Sequence, residues 1–279
     1  IKDGISTNLT SNDTLPVIYL GTKNPTGAFN SYNNSYSITG GYFNRQVFSL
    51  AKTKFESEGW TVQENYTGIY GKALAAYKTF TDGTLRAVLA ANNSSATAKA
   101  FLQVYFDAAI TPDDASALAF TDDQKSTIQG ALGEDLPYIF PKGIKTVKAR
   151  TGTALGYALQ LTAATSYSSA NRFNFNNILY AKNKLDTEHP EYKTELTLIP
   201  DDATSHLGHG NARLTATKEL ADGSKIVIAY GYNSSVDTSA PAIFVSHLTG
   251  LTNANNITDW DSKTRTNMHF YFGLVLPSF

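Results

Sequence analysis

The stretch TFTDGTLRAVLAANNSS at 79–95 returns, altered, as ELADGSKIVIAYGYNSS at 219–235, 140 positions further on. Around it Leu74, Ala76, Lys78, Asp82, Gly83, Asn93, Ser94 and Ser95 match Leu214, Ala216, Lys218, Asp222, Gly223, Asn233, Ser234 and Ser235 at that single offset. Internal self-similarity constrains an architecture more than any isolated motif does, because each copy must fold as the same supersecondary unit. In both copies two strand-like runs flank Asp-Gly, the pattern of a β-hairpin whose central turn residues take positive φ.

The repeat extends upstream. FNRQVFSLAKTKFESE at 43–58 matches FNFNNILYAKNKLDTE at 173–188 with an offset of 130. Positions 44, 48, 51 and 55, and their partners 174, 178, 181 and 185, step by four, three and four, the buried stripe of an amphipathic helix. LPVIYLG at 15–21 matches LPYIFPKG at 136–143 with an offset near 121. The offset grows along the chain, so the second copy has gained residues before and after its helix, as insertions in loops do. A third fragment is visible where TDDQKSTIQGALGEDLP at 121–137 resembles TDWDSKTRTNMHFYFGLVLP at 258–277, and Thr121 with Gln124 has the spacing of a capping box.

These matches predict an α+β protein of two tandem repeats, residues 1–120 and 121–257, with 258–279 as the start of a third repeat or a C-terminal cap. Each repeat is an antiparallel sheet with a helix packed on one face. The expected strands lie near 34–39, 69–80, 84–91 and 99–107 in the first copy, and near 145–163, 212–220, 224–232 and 241–248 in the second. A helix followed by antiparallel strands is similar to cystatin-like and PepSY-like modules in architecture only; no diagnostic motif of either is present.

Composition narrows the classes. With 23 Lys and Arg against 24 Asp and Glu there is no basic stripe of the kind that nucleic acid requires. The chain has no Cys, which removes disulfides, thiolate metal sites and thiol nucleophiles together. No apolar run is long enough to span a bilayer, and the aromatic end MHFYFGLVLPSF lacks the preceding alternating segments of an outer-membrane barrel. A first residue of Ile, one Met, and abundant Asn, Ser, Thr and Tyr predict an exported bacterial surface protein, expected as a monomer.

The search for chemistry yields two candidate sets. His206 and His209, with Asp201 and Asp202 just upstream, are of the residue types that ligate a divalent metal, although a polar loop explains them more simply. By the offset of 140 they stand opposite Tyr66 and Ile69 of the first copy. Tyr32, Tyr36 and Tyr42 in the first copy, and Tyr167, Phe173 and Phe175 in the second, lie among Asn and Ser, a mixture in which rings stack on sugars and amides bond hydroxyls. The competing reading for these rings is core packing. No Gly-x-Ser-x-Gly elbow, Walker spacing or EF-hand loop is present, and no cofactor is expected. The sequence therefore predicts a non-enzymatic, adhesin-like binding module or spacer with a glycan or protein ligand. The alternative is a secreted hydrolase with its site at the domain junction.

Overall fold

The computed structural model describes residues 15–30, 35–67, 71–91, 97–111, 118–149, 157–164, 175–198, 212–232 and 242–248. They fall into two compact units, one comprising the described residues up to Ala109 with Leu198, the other those from Ile110 to Thr197 and from Ala212 onward. Unit 1 contains β1 (Thr26–Asn30), β2 (Ser35–Tyr42), α1 (Arg45–Ser57), β3 (Thr61–Thr67), β4 (Gly71–Phe80), β5 (Gly83–Ala91) and β6 (Lys99–Ala108). Unit 2 begins with α2 (Asp122–Leu132), then β7 (Ile144–Ala149), β8 (Leu159–Ala163), α3 (Phe175–Glu188), β9 (Lys193–Thr197), β10 (Ala212–Glu219), β11 (Lys225–Tyr232) and β12 (Ala242–Leu248).

The strand order is β1-β2-β6-β5-β4-β3 in one sheet and β7-β8-β12-β11-β10-β9 in the other, with every pair antiparallel. The two orders are identical, so the duplication read from sequence is a duplication of topology. Register locates each insertion. Arg86 pairs with Tyr105 and Val227 with Ser246, both 141 positions on. Ile38 pairs with Leu102 and Leu161 with Ile243, so β8 lies 123 positions after β2. Thr61 pairs with Tyr77 and Lys193 with Thr217, so β9 lies 132 positions after β3 while β10 lies 140 after β4. The second copy has thus gained residues between β8 and α3, between α3 and β9, between β9 and β10, and in the β10–β11 hairpin, all of them connections.

The helices form where the stripe places them. Asn44 caps α1 by accepting a hydrogen bond from the Val47 N–H at 2.9 Å. At the other end the Gly59 and Trp60 N–H groups donate to the Glu56 and Phe55 carbonyls at 3.1 Å, with Gly59 at φ 77. That pairing is a Schellman motif, and its apolar contact is the Trp60 ring, 4.9 Å from Phe55. Val47, Phe48, Ala51 and Phe55 face the sheet, as do Phe175, Ile178, Ala181 and Leu185 of α3. In unit 1 they meet Leu74, Ala76, Leu85, Ala87, Leu89, Leu102 and Val104, together with Leu15, Ile18 and Leu20 from the segment before β1. That segment crosses β2 at Gly40 and Gly41, where the Gly41 N–H donates to the Leu20 carbonyl at 2.7 Å and a Cβ on Gly40 would lie 2.2 Å from that oxygen. Thr121 and Gln124 close the expected capping box on α2.

Three expectations need correction. The stretch expected as one strand at 145–163 is two, β7 and β8. Strands β1, β3 and β9 were not anticipated; together with β7 they are the four sheet edges, where polar residues weaken the alternation that marks a strand. In unit 1 the Asp-Gly pair also does not sit at the centre of the turn. Phe80 pairs with Gly83, leaving Thr81 and Asp82 as the turn, and no Asp among the described residues has positive φ. Gly83 opens β5 at φ 157, where a Cβ would meet the Asp107 carbonyl oxygen at 2.3 Å, so close strand approach explains the glycine. In unit 2 the Leu220 N–H donates to the Ser224 carbonyl at 2.8 Å, giving a turn one residue longer that holds Asp222 and Gly223, and of these two only Gly223 takes positive φ, at 81.

Both faces of β5 and β6 are buried. On the face away from α1, Arg86 and Asp107 form an ion pair (Nε to Oδ2, 2.5 Å) with the guanidinium 4.8 Å from the Tyr105 ring centre. Unit 2 carries Val227 and Leu248 at the positions equivalent to Arg86 and Asp107. Asp107→Ala strands the buried guanidinium and is expected to cost about 3–5 kcal/mol. The double change Arg86→Val with Asp107→Leu, which copies unit 2, is expected to recover most of that loss in urea unfolding.

Candidate functional site

The sequence candidates are placed as follows. Tyr36, on β2, packs against the unit 1 core with its ring over Gly27 of β1, where an added Cβ would clash with it at 2.4 Å. Tyr42, at the end of β2, is 64% exposed. Phe175 is fully buried at the start of α3, so it is a core residue and offers no stacking surface, because its helix turns it toward the sheet. Tyr32, Tyr167 and Phe173 lie outside the described residues, as do His206, His209 and Asp202. Tyr66 lies within β3, and the β9 register makes Leu198 its counterpart, so His206 is not. Among the described residues no group of three His, Asp or Glu side chains is arranged to hold a metal.

The described residues bring together a different site, an open cleft of about 790 Å³ along α1. Its floor is Phe43 and Phe48, packed edge to face with ring centres 6.4 Å apart. Its walls are Asn44 and Arg45 at the start of α1, the outward residues Ser49, Lys52, Thr53 and Glu56, and Glu64 from β3. Helix geometry explains the set: positions three and four apart share a face, so the stripe that buries Val47, Ala51 and Phe55 leaves the adjoining polar row along one rim. Lys52 spans the cleft to Glu64 at 2.6 Å and lies 3.9 Å from Glu56. The hydrogen bond that Lys52 donates to Glu64, and the charge of that carboxylate, hold the ammonium pKa above its ordinary value. The site is an apolar floor bordered by donors and acceptors, residue types that suit a sugar or a polar peptide segment.

Unit 2 carries different residues on the matching helix. At the helix offset of 130, Phe175 stands where unit 1 has Arg45, and Leu179 where it has Ser49. Only the lysine and the acid four residues later persist, as Lys182 and Asp186 at 2.6 Å, with Thr194 of β9 donating to Asp186 at 2.5 Å. Burial raises the Asp186 pKa, but the hydrogen bonds from Lys182 and Thr194 more than offset it, leaving it below the ordinary value.

A second cluster has the residue types of a hydrolase. The Ser224 hydroxyl lies 2.6 Å from Asp222 Oδ1 and 3.0 Å from His247 Nε2. The order is wrong for nucleophilic catalysis, because the carboxylate contacts the serine instead of orienting the histidine. Ser224 is buried, and its N–H also donates to Asp222 at 2.9 Å, so the cluster closes the β10–β11 turn. The Ser224 hydrogen bonds hold the Asp222 carboxyl below its usual pKa. A folded value below the unfolded one stabilises fully above the unfolded pKa, and the contribution is lost as pH falls through the folded value. Carboxyl carbon NMR titration is expected to show Asp222 returning toward the ordinary range in Ser224→Ala, with the acid limb of unfolding moving to higher pH.

Sequence reasoning did not single out the cleft. Phe43 ends the aromatic run 31–43, but Arg45, Ser49, Lys52 and Glu56 read as an ordinary solvated helix face, and only the fold brings Glu64 across from β3.

No family model matches the sequence, and no curated protein matches it. Among solved structures, one from work on substrate modification by dehydratases of type I polyketide synthases is 10% identical, with 85% of this chain and 98% of that chain covered at a TM-score of 0.20. The di-domain ARO/CYC BexL of the BE-7585A biosynthetic pathway is also 10% identical, with 86% and 79% covered at a TM-score of 0.15. Neither likeness bears on the chemistry of the cleft. No helix of the described residues is long and apolar enough to cross a membrane.

Proposed function

We propose that this chain is a non-enzymatic, exported surface protein of tandem α+β modules in which unit 1 binds a glycan or a polar protein segment and unit 2 serves as a spacer. The observation that carries this reading is the divergence of the two copies at one place. Unit 1 keeps an open, aromatic-floored cleft with polar walls, while unit 2 puts Phe175 and Leu179 at the matching helix positions. Duplicated modules diverge in this way when one retains recognition and the other retains only the fold. The Asp222, Ser224 and His247 cluster gives the competing hydrolase reading no activated nucleophile, since Ser224 is buried and contacts the carboxylate.

The test is a panel of glycans and extracellular proteins screened against the full chain and Ser49→Trp, with and without EDTA. Ser49 is exposed, so the indole fills the cleft without entering the core. The expected result is a ligand that binds with EDTA present and is weakened at least about tenfold by Ser49→Trp at unchanged thermal stability. Binding that tolerates Ser49→Trp rules out the cleft, and binding lost with EDTA moves the site to His206, His209 and Asp202.

A further inference from the structure

The charged residues of the cleft along α1 are arranged in order. At one end Arg45, exposed in the first turn of α1, forms no ion pair with any described residue. At the other end Glu56 is exposed, and among the described residues its one cationic neighbour is the Lys52 ammonium, at the long distance of 3.9 Å. Between these ends that ammonium is committed to Glu64 at 2.6 Å, which neutralises the middle of the cleft beside the Phe43 and Phe48 rings. The cleft thus runs from an uncompensated cation, past an apolar floor, to a weakly compensated acid.

The second copy has no such pair of ends. Phe175 stands at the place of Arg45, and Asp186, at the place of Glu56, is engaged by Lys182 at 2.6 Å and by Thr194 at 2.5 Å. Lys52 and Lys182 are equivalent on their helices, yet they act differently. Lys182 closes on the acid of its own helix, whereas Lys52 reaches across to β3 and leaves Glu56 at a distance. The two-ended charge is therefore particular to unit 1.

We propose that the cleft takes an extended peptide segment of a partner protein, with an acidic side chain at the Arg45 end, a basic one at the Glu56 end, and an aromatic side chain between them on the Phe43 and Phe48 rings. This rests on the reading of the cleft as the binding site of unit 1 and names its ligand class. Complementary charges at the two ends fix the register of a bound chain and disfavour wrong partners. Arg45 and Glu56 are eleven positions apart on α1. That separation is a rise of about 16 Å along the helix, which an extended chain covers in about five residues. A neutral glycan engages neither end, and a carboxylated one leaves Glu56 without an opposite charge, so charge complementarity selects the peptide.

The test is an amide NMR titration of the isotope-labelled full chain with the capped hexapeptide Asp-Ser-Tyr-Ser-Ser-Lys. Companion peptides carry Ser in place of the Asp, of the Lys or of both, or Lys in place of the Asp. Exposed charge pairs contribute modestly and are screened by salt, so each Ser replacement is expected to weaken binding about threefold. Arg45→Glu turns attraction into repulsion at one end; it is expected to weaken the parent peptide about tenfold and to strengthen the peptide with Lys at both ends, a switch that mere loss of structure does not produce. Arg45 is exposed, so thermal melting is expected to be unchanged. An absence of peptide binding, or equal binding whatever the ends, overturns the inference, and the cleft reading then stands or falls on whether Ser49→Trp excludes the ligand that does bind. Peptide binding indifferent to Ser49→Trp overturns both.

Discussion

The pairing of β2 with β6 is the contact on which each unit depends. Residues 35–42 must find residues 99–105 across an intervening helix and three strands, and β8 must find β12 in the same way. The other neighbours in each sheet are hairpins or follow one another in the chain, so their pairing closes short loops, whereas this one carries the long loop-closure entropy. It is stabilised by what lies on the helix-facing side. Ile38 sits opposite Leu102, Leu161 opposite Ile243, and all four are buried beneath or beside the helix. Without this pair the β3–β6 meander would expose one edge of β6 and α1 would lose part of its platform.

Legibility followed the hydrophobic pattern. The helix stripes at 48, 51 and 55 and at 178, 181 and 185, the central strands and the capping box at Thr121 were readable because buried positions recur at fixed spacing. β1, β3 and β9 were not, because an edge strand such as KTELT gains nothing from alternation and its charges discourage further pairing. The Asp-Gly pairs identify both hairpins, and Gly223 takes the positive φ of a turn glycine, but Gly83 answers to the carbonyl of Asp107 on the neighbouring strand, a tertiary contact no local rule contains. The candidate rings fared similarly: Phe175 carries the same neighbours in sequence as an exposed aromatic, and only its place on α3 reveals that it is core.

Once the copies are aligned by register, their differences become informative. One holds a buried ion pair where the other holds Val227 and Leu248, so the same sheet positions accept either a charge pair or two apolar side chains. One presents Arg45 and Ser49 where the other places Phe175 and Leu179. The core face of the helix is under the same constraint in both copies, so volumes shuffle there without changing character. At the flanking positions the copies differ in burial as well, Arg45 and Ser49 being exposed where Phe175 is core and Leu179 half-buried, and the difference is where a function specific to one unit can reside.

The account rests on two sheets with one topology and a register shifted by a constant within each strand pair. Cross-strand nuclear Overhauser contacts measured on the full chain test this most directly. The account predicts contacts between Ser37 and Gln103 and between Gln160 and Phe244, with Arg86 opposite Tyr105 and Val227 opposite Ser246. A β12 that pairs with any strand other than β8 and β11, or a register displaced by one residue in a single copy, would contradict the duplication on which the functional reading stands.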